Sequence, residues 1–157
     1  RRIAYLSGDH SLLFNNDRKS GYLLSLAEHQ VPFRPDLCIE APEVPEERNL
    51  ALETLLTAKD RPTAVLVSDD ILAMALEKTC AELGISIPGD LSIISFNNSL
   101  FARLTYPPLT SVDINSLQLG IEAASQMISH IENPDLMATK TIVPHHLVTR
   151  ESCRPIS

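Results

Sequence analysis

Two adjacent acids follow an apolar run, at a position where carboxylates often do chemistry. Residues 64–67 are apolar, Ser68, Asp69 and Asp70 come next, and apolar residues with helical spacing begin at Ile71. Acids placed there serve as helix caps, catalytic carboxylates, metal ligands or ligand-binding groups. Neighbouring positions on a helix point about 100° apart, so we do not expect the two acids to face one scissile bond as a glycosidase pair does.

Polar residues also follow the other predicted strands, and the carboxyl ends of parallel strands share one rim of a sheet. The residues that follow are Gly8, Asp9, His10, Asn15, Asn16 and Arg18 after the first strand, Ala41, Pro42 and Glu43 after the second, and Asn97, Asn98 and Ser99 after the fourth. Carboxylates accept, arginine donates and asparagine does both, so this set suits a polyhydroxyl ligand. Capping by Ser68 or Asp69, a turn at Asn97 and a surface ion pair of Arg18 remain open as alternatives.

Enzymatic motifs are missing from the sequence, which contains no G-x-S-x-G, H-E-x-x-H, P-loop or G-x-G-x-x-G pattern. His145 and His146 do not form a predicted metal pair, because neighbours on a strand point to opposite faces. The three cysteines, Cys38, Cys80 and Cys153, are widely spaced and indicate free thiols in a reducing compartment. We therefore predict no catalytic residue, no metal ligand and no cofactor.

The elements that position these residues alternate in type along the chain. Apolar patterns predict strands at 3–7, 37–40, 64–68 and 91–96 and helices at 16–29, 45–58 and 70–83. This order is the signature of an α/β fold with a parallel sheet and helices on both faces. The run LSIISF shows little alternation, so we expect the fourth strand to be buried on both faces.

The pattern changes after residue 100. Residues 100–110 look irregular, 114–132 form a long predicted helix, and 141–150 look extended but are interrupted by Pro144. One helix and one broken strand indicate a second subdomain that is built mostly from other sequence. Six apolar residues are expected either in the core or at a subunit interface: Leu72, Met74, Leu100, Phe101, Leu104 and Tyr106.

Composition limits the classes of partner. The 157 residues are 44% hydrophobic and 21% charged, which is globular composition. A net charge of −7 argues against this segment itself holding DNA, since phosphate binding requires a basic face. No apolar run is long enough for a membrane span, and no N-terminal signal pattern is present. The start at Arg1-Arg2, which runs straight into IAYLS, predicts a fragment without its N-terminal part.

Several stretches resemble the LacI/GalR family of bacterial transcriptional repressors: DRKSGY, RPTAVLVSDDILAMAL, LGISIPGDLSIISFNN, YPPLTSVDIN and VPHHLVTRESC. The resemblance implies a periplasmic-binding-protein-like fold of two subdomains with an effector between them. Residues 1–112 would form the C-terminal subdomain, 113–143 part of the N-terminal subdomain, and 144–157 a return segment. The family's DNA-binding helix-turn-helix is absent from this sequence.

The resemblance also implies residue roles. Effector contacts would come from Asn16, Arg18, Asp69 and Asn97. Asp70, by its position in the first turn of the helix, is expected to stabilise the helix start instead. The family's usual G-[FY]-D-D motif is S-F-N-N here, which removes a charge, and EAPE lacks the aromatic residue that many members carry near Glu43. Dimer contacts would come from Leu72, Met74, Leu100, Phe101 and Tyr106.

These features predict a cytoplasmic, non-enzymatic sensor, which is the effector-binding domain of a homodimeric repressor. FNNS and TYPPLTSVDIN look most like the maltose-operon repressor branch, which implies a maltose or maltodextrin effector. Operator DNA would bind through the missing helix-turn-helix, with no membrane partner. Two alternatives are an extracytoplasmic sugar-binding protein of a transporter and a carbohydrate-active enzyme that uses Asp69.

Overall fold

A six-stranded sheet forms the centre of the computed structural model, which describes residues 2–155. The strands lie in the order β2-β1-β3-β4-β5-β6, all parallel except β6, which pairs antiparallel with β5. The strands are β1 Ile3–Ser7, β2 Cys38–Glu40, β3 Ala64–Val67, β4 Ser92–Phe96, β5 Thr110–Asp113 and β6 His146–Val148. The helices are α1 Leu13–Glu28, α2 Pro45–Thr57, α3 Asp70–Glu82, α4 Phe101–Leu104 and α5 Ser116–Glu132.

The predicted α/β fold class is confirmed, and most element boundaries agree within a few residues. Helix α1 begins at Leu13, three positions before the predicted start. Residues 100–110, predicted as irregular, contain the short helix α4. Strand β5 was not predicted, and β6 covers only three residues of the stretch predicted as extended.

Strand alternation divides the packing between the two faces of the sheet. Ala4, Leu6, Val65, Val67 and Ile93 point to one face, where they form the main hydrophobic core with residues of α2 and α3. Tyr5 points to the other face and packs against Tyr22 and Leu26 of α1. Because successive side chains of a strand alternate in direction, helices on both faces are needed to bury the sheet.

The expectation that β4 is buried on both faces is wrong. Ile93 and Ser95 are fully buried, whereas Ser92, Ile94 and Phe96 are only partly buried. On this side of the sheet, Leu66, Ile94 and Phe96 line an open groove of about 600 Å³ beside α1. The apolar side chains that interrupt the alternation therefore lie at a partly uncovered surface.

Helix α5 differs from the other long helices because none of its residues is buried. Its large apolar side chains are exposed, namely Leu117, Leu119, Ile121, Met127, Ile128 and Ile131. Apolar residues that recur along a helix usually face a packing partner. Helix α5 follows β5 along the chain, and β6, which comes after α5, brings the chain back to the sheet beside β5.

Candidate functional site

The two acids of the SDD stretch have different surroundings. Asp69 is the N-cap of α3: its Oδ1 accepts a hydrogen bond from the Leu72 amide at 2.9 Å, and its Oδ2 accepts one from the Ser68 hydroxyl at 3.0 Å. The cap satisfies one of the amides that a helix start leaves without a partner. Asp69 remains partly exposed and lines a rim cavity of about 400 Å³ together with Phe14.

Asp70 does more than the sequence predicted. It lies in the first turn of α3, as expected, but it is 1% exposed and therefore does not act as a surface acid near the helix dipole. Its Oδ1 accepts from the hydroxyls of Ser95 at 2.6 Å and Ser111 at 2.8 Å, and its Oδ2 accepts from the Ser99 amide at 2.6 Å. Asp70 thus connects α3 to β4, β5 and the loop between them.

Arg18 reaches from α1 across the rim to β3 and β4. Its Nη1 donates to the Ser68 carbonyl at 2.6 Å, and its Nη2 donates to Asn97 Oδ1 at 3.2 Å. The guanidinium also lies over the rings of Phe96, at 4.6 Å, and Phe14, at 5.3 Å, where cation–π attraction stabilises it. Burial lowers the pKa of Arg18, while the nearby Tyr5, Asp69 and Asp70 oppose that shift.

Asn97 occupies a left-handed backbone conformation, with φ of 97°. Asparagine tolerates positive φ better than most residues because its short polar side chain can bond locally. The Asn97 amide donates to the Val112 carbonyl at 2.9 Å, which fixes the loop against β5. The strand therefore does not continue at Asn97, and the Asn97 side chain lies beside Arg18.

Asn16 stands apart from this group. It is exposed on α1, and none of the hydrogen bonds found among residues 2–155 joins it to Arg18, Asp69 or Asn97. The preceding Asn15 is buried instead: its side-chain amide donates to the Asp9 carbonyl at 2.9 Å, and its backbone carbonyl accepts from the Tyr5 hydroxyl. The structure thus gathers three of the four predicted effector residues.

Sequence reasoning missed the aromatic residues of this rim. Phe14 and Phe96 lie against the Arg18 guanidinium, and the nearby Tyr5 is a buried phenol whose pKa is raised by burial. Phe14 and Phe96 are far apart in the sequence, so the sequence did not show that both contact Arg18. Phe14 nevertheless lies one helical turn before Arg18, and Phe96 directly precedes Asn97. Spacing within α1 could have revealed the first contact.

Another cavity lies away from the rim. It has a volume of about 570 Å³ and is lined mainly by α2 and the 3-10 turn Pro35–Leu37 before β2. None of the predicted effector residues lines this cavity. We place the candidate site at the rim because donors, acceptors and aromatic rings converge there.

The predicted dimer residues separate into two groups. Leu72 is 8% exposed and belongs to the main core, so it offers little of its side chain to a partner at the surface of this chain. The other four are exposed, to 39% for Met74, 66% for Leu100, 41% for Phe101 and 95% for Tyr106. Leu104 is also exposed, at 70%.

Within residues 2–155, no cluster of three or more histidine, cysteine, aspartate or glutamate side chains is arranged to hold a metal ion. None of the described helices is both long and apolar enough to span a membrane.

Comparison with known proteins identifies the family. The model of the periplasmic binding protein-like domain matches residues 1–153, and the chain therefore belongs to that family. The transcriptional repressor PurR of Mannheimia succiniciproducens is 29% identical over all of this chain and 47% of its own length. The ribose operon repressor of Haemophilus influenzae is 29% identical over 97% of the chain and 46% of its own length.

Comparison with solved structures indicates which type of periplasmic-binding-protein-like domain this chain resembles. A LacI-type regulator from Bacillus cereus subsp. cytotoxis superposes with a TM-score of 0.93 at 31% identity, over 99% of this chain and 55% of that one. These matches support an effector-binding domain of the LacI type, and the relatives are repressors, not enzymes. The chain spans about half the length of the curated relatives it matches.

Proposed function

We propose that this chain is the effector-binding part of a cytoplasmic, homodimeric, DNA-binding repressor whose effector is a small sugar. The proposal rests on the hydrogen bonds that Arg18 donates to the Asn97 side chain and to the Ser68 carbonyl. They bring Arg18 and Asn97 close to Asp69, which is bonded to Ser68, at the carboxyl rim of the sheet. In open α/β sheets ligands bind at this rim. Operator DNA would bind through a helix-turn-helix outside these 157 residues.

The chemistry of the rim favours a polyhydroxyl ligand. The Asp69 carboxylate accepts hydrogen bonds, the Arg18 guanidinium donates them, and the Asn97 amide can do both. The Phe14 ring, which is 52% exposed, offers an apolar face to the C–H side of a sugar ring. Maltose or a maltodextrin is our specific candidate, on the resemblance of FNNS and TYPPLTSVDIN, and ribose is the natural competitor, given the ribose operon repressor among the relatives.

A second subdomain would complete the site. In the division that we propose, residues 1–112 belong to the C-terminal subdomain, 113–143 to the other, and 144–157 to the return segment; Arg1, Ile156 and Ser157 lie outside the described residues. Support comes from α5, whose apolar side chains are exposed. A sugar held between the subdomains would alter operator affinity only through different affinities for the open and closed states.

Thermal unfolding of the full-length protein tests the sugar proposal. We expect maltose or maltotriose to raise the melting temperature, because a ligand at about 100 times its Kd adds about 2.7 kcal/mol of stability. Arg18→Ala should weaken that binding about tenfold to a hundredfold, since hydrogen bonds to charged groups contribute about 1.5–3 kcal/mol. Arg34→Ala is the matched control, because Arg34 lies away from the rim and forms a surface ion pair with Asp36.

The same titration distinguishes the alternatives. Ribose, galactose and purine bases are titrated beside the maltodextrins. Stabilisation by ribose alone would replace the maltodextrin candidate, and stabilisation by purines alone would remove the sugar class. If Arg18→Ala binds the stabilising compound as tightly as Arg34→Ala does, the rim is not its site. A signal peptide before residue 1 would favour the extracytoplasmic transporter component instead.

The dimer proposal rests on the exposed apolar surface at the start of α3 and around α4. Met74→Glu places a charge on this surface, and we expect the dimer dissociation constant to rise at least tenfold, because burying an unpaired carboxylate is strongly unfavourable. Analytical ultracentrifugation of the full-length protein measures the change. Leu24→Glu, at an exposed position on α1, is the control and should leave the dimer intact; equal weakening by both variants would reject this location.

A further inference from the structure

Asn98 connects the rim loop to the two segments through which the chain leaves and re-enters the sheet. We call residues 113–116 the outgoing crossing and residues 144–150 the return crossing. The Asn98 side-chain amide donates to Asp113 Oδ2 at 2.8 Å in the outgoing crossing. Its Oδ1 accepts from Arg150 Nη2 at 2.5 Å in the return crossing. One side chain thus bonds to both crossings.

The chemistry of this contact is specific to a carboxamide. Asp113 offers only acceptors and Arg150 offers only donors, so the residue between them must donate to one and accept from the other. The bond from Asn98 is the main cause that lowers the pKa of Asp113, followed by the bond from the Asn115 amide. Asn98 also has a positive φ of 46°, a conformation that asparagine tolerates.

Arg150 is itself held in place from the sheet. Its Nη1 donates to the Leu109 carbonyl at 2.6 Å, and its backbone amide donates to the Thr110 hydroxyl at 2.9 Å. Beside it, β5 and β6 pair Ser111 with Val148 and Asp113 with His146. Strands β5 and β6 therefore form one antiparallel ribbon, and Asn98 bonds to a charged side chain from each of its two ends, Asp113 and Arg150.

The bridge is continuous with the candidate effector site. Asn97, next in the chain, accepts from Arg18. The Asn98 backbone amide donates to the Ser111 hydroxyl at 3.0 Å, and that hydroxyl in turn donates to the buried Asp70 carboxylate at 2.8 Å. Movement of Asn97 towards or away from a ligand would therefore displace a residue that is bonded to both crossings.

We propose that Asn98 is a positioning residue that couples the effector rim to the crossings. Its side-chain carboxamide sets how tightly the ribbon of β5 and β6 is held. This inference rests on the proposed function in one respect: the crossings act as a hinge only if a second subdomain lies beyond them. The coupling requires two discrete arrangements of the ribbon, biased by the rim.

The bridge is tested in the full-length protein, without any ligand, by exchanging the carboxamide of Asn98 and the carboxylate of Asp113. Asn98→Asp removes the donor to Asp113 and sets two carboxylates against each other. Amide hydrogen exchange at 110–113 and 146–150 should then become about tenfold faster or more, given the strength of hydrogen bonds to charged groups. Adding Asp113→Asn restores a donor facing an acceptor, while Asp at position 98 still accepts from Arg150, so exchange in the double variant should return to within about threefold of the original.

Each outcome decides the inference. Asn49→Asp makes the same charge change on the exposed side of α2 and should leave these amides unchanged. Failure of Asn98→Asp alone to fold, with a folded double variant, supports the bridge. Unchanged exchange, acceleration spread evenly over the whole chain, a double variant as fast as the single one, or failure of both to fold overturns it. Because no ligand is used, an absence of sugar binding leaves this result intact.

Discussion

Asp70→Ala should lower the free energy of unfolding by about 3–4 kcal/mol, an effect typical of breaking a buried charged network. The carboxylate accepts from the Ser95 and Ser111 hydroxyls and the Ser99 amide, and its removal leaves three donors at a site that is closed to water. An unsatisfied buried donor costs about 1–3 kcal/mol. The sum is limited to about 4 kcal/mol because the loop can relax and admit water.

Urea unfolding measures this loss, with two comparisons. Asp70→Asn keeps the size and one acceptor but points an amide donor at one of the three groups, so we expect a smaller loss of about 2 kcal/mol. Asp60→Ala, at an exposed position before β3, should change stability by less than about 0.5 kcal/mol. A loss below about 1 kcal/mol for Asp70→Ala would show that the network does not hold α3 to the sheet.

Raising the pH from 5 to 8 should destabilise the protein through Glu77. This residue of α3 is 7% exposed, and its Oε1 is buried without a hydrogen-bond partner among the described residues. Burial raises the pKa of Glu77 from 4.5 to about 7. Between these values the folded state holds a proton that the unfolded state has released, so stability falls as pH rises and the full loss is reached above pH 7.

The size of the effect follows from the two pKa values. Their difference corresponds to about 3 kcal/mol as an upper limit. Glu77→Gln cannot ionise and should therefore flatten the profile between pH 5 and 8, with a gain in stability at pH 8 of about 2 kcal/mol. Glu53→Gln, at an exposed position on α2, should keep the slope. An unchanged slope in Glu77→Gln would assign the pH dependence to other groups.

The sequence predicted the elements whose signals are local. Strand β1 and the start of α2 at Pro45 lie where the apolar runs and the proline placed them. Strand β5 escaped prediction because it is short and polar. Its Thr110 and Ser111 are buried hydroxyls bonded to the distant Arg150 amide and Asp70 carboxylate, and no local pattern reveals such partners.

The same distinction applies to the candidate site. Parallel strands end on one rim, so the proximity of Arg18, Asp69 and Asn97 followed from topology once the elements were predicted. Which face of α3 is buried did not follow, because Leu72 and Met74 are both apolar and two positions apart. Leu72 enters the core and Met74 stays exposed, a difference set by how α3 packs against α2 and α4.

The cap formed by Asp69 has a further consequence for recognition. A carboxylate has about four acceptor positions, and the Leu72 amide and the Ser68 hydroxyl fill two of them. Those bonds fix the rotamer before any ligand arrives, so binding loses little side-chain entropy at this group. Capping and ligand binding are therefore compatible roles for Asp69, because the bonds that begin the helix also preorganise the acceptor.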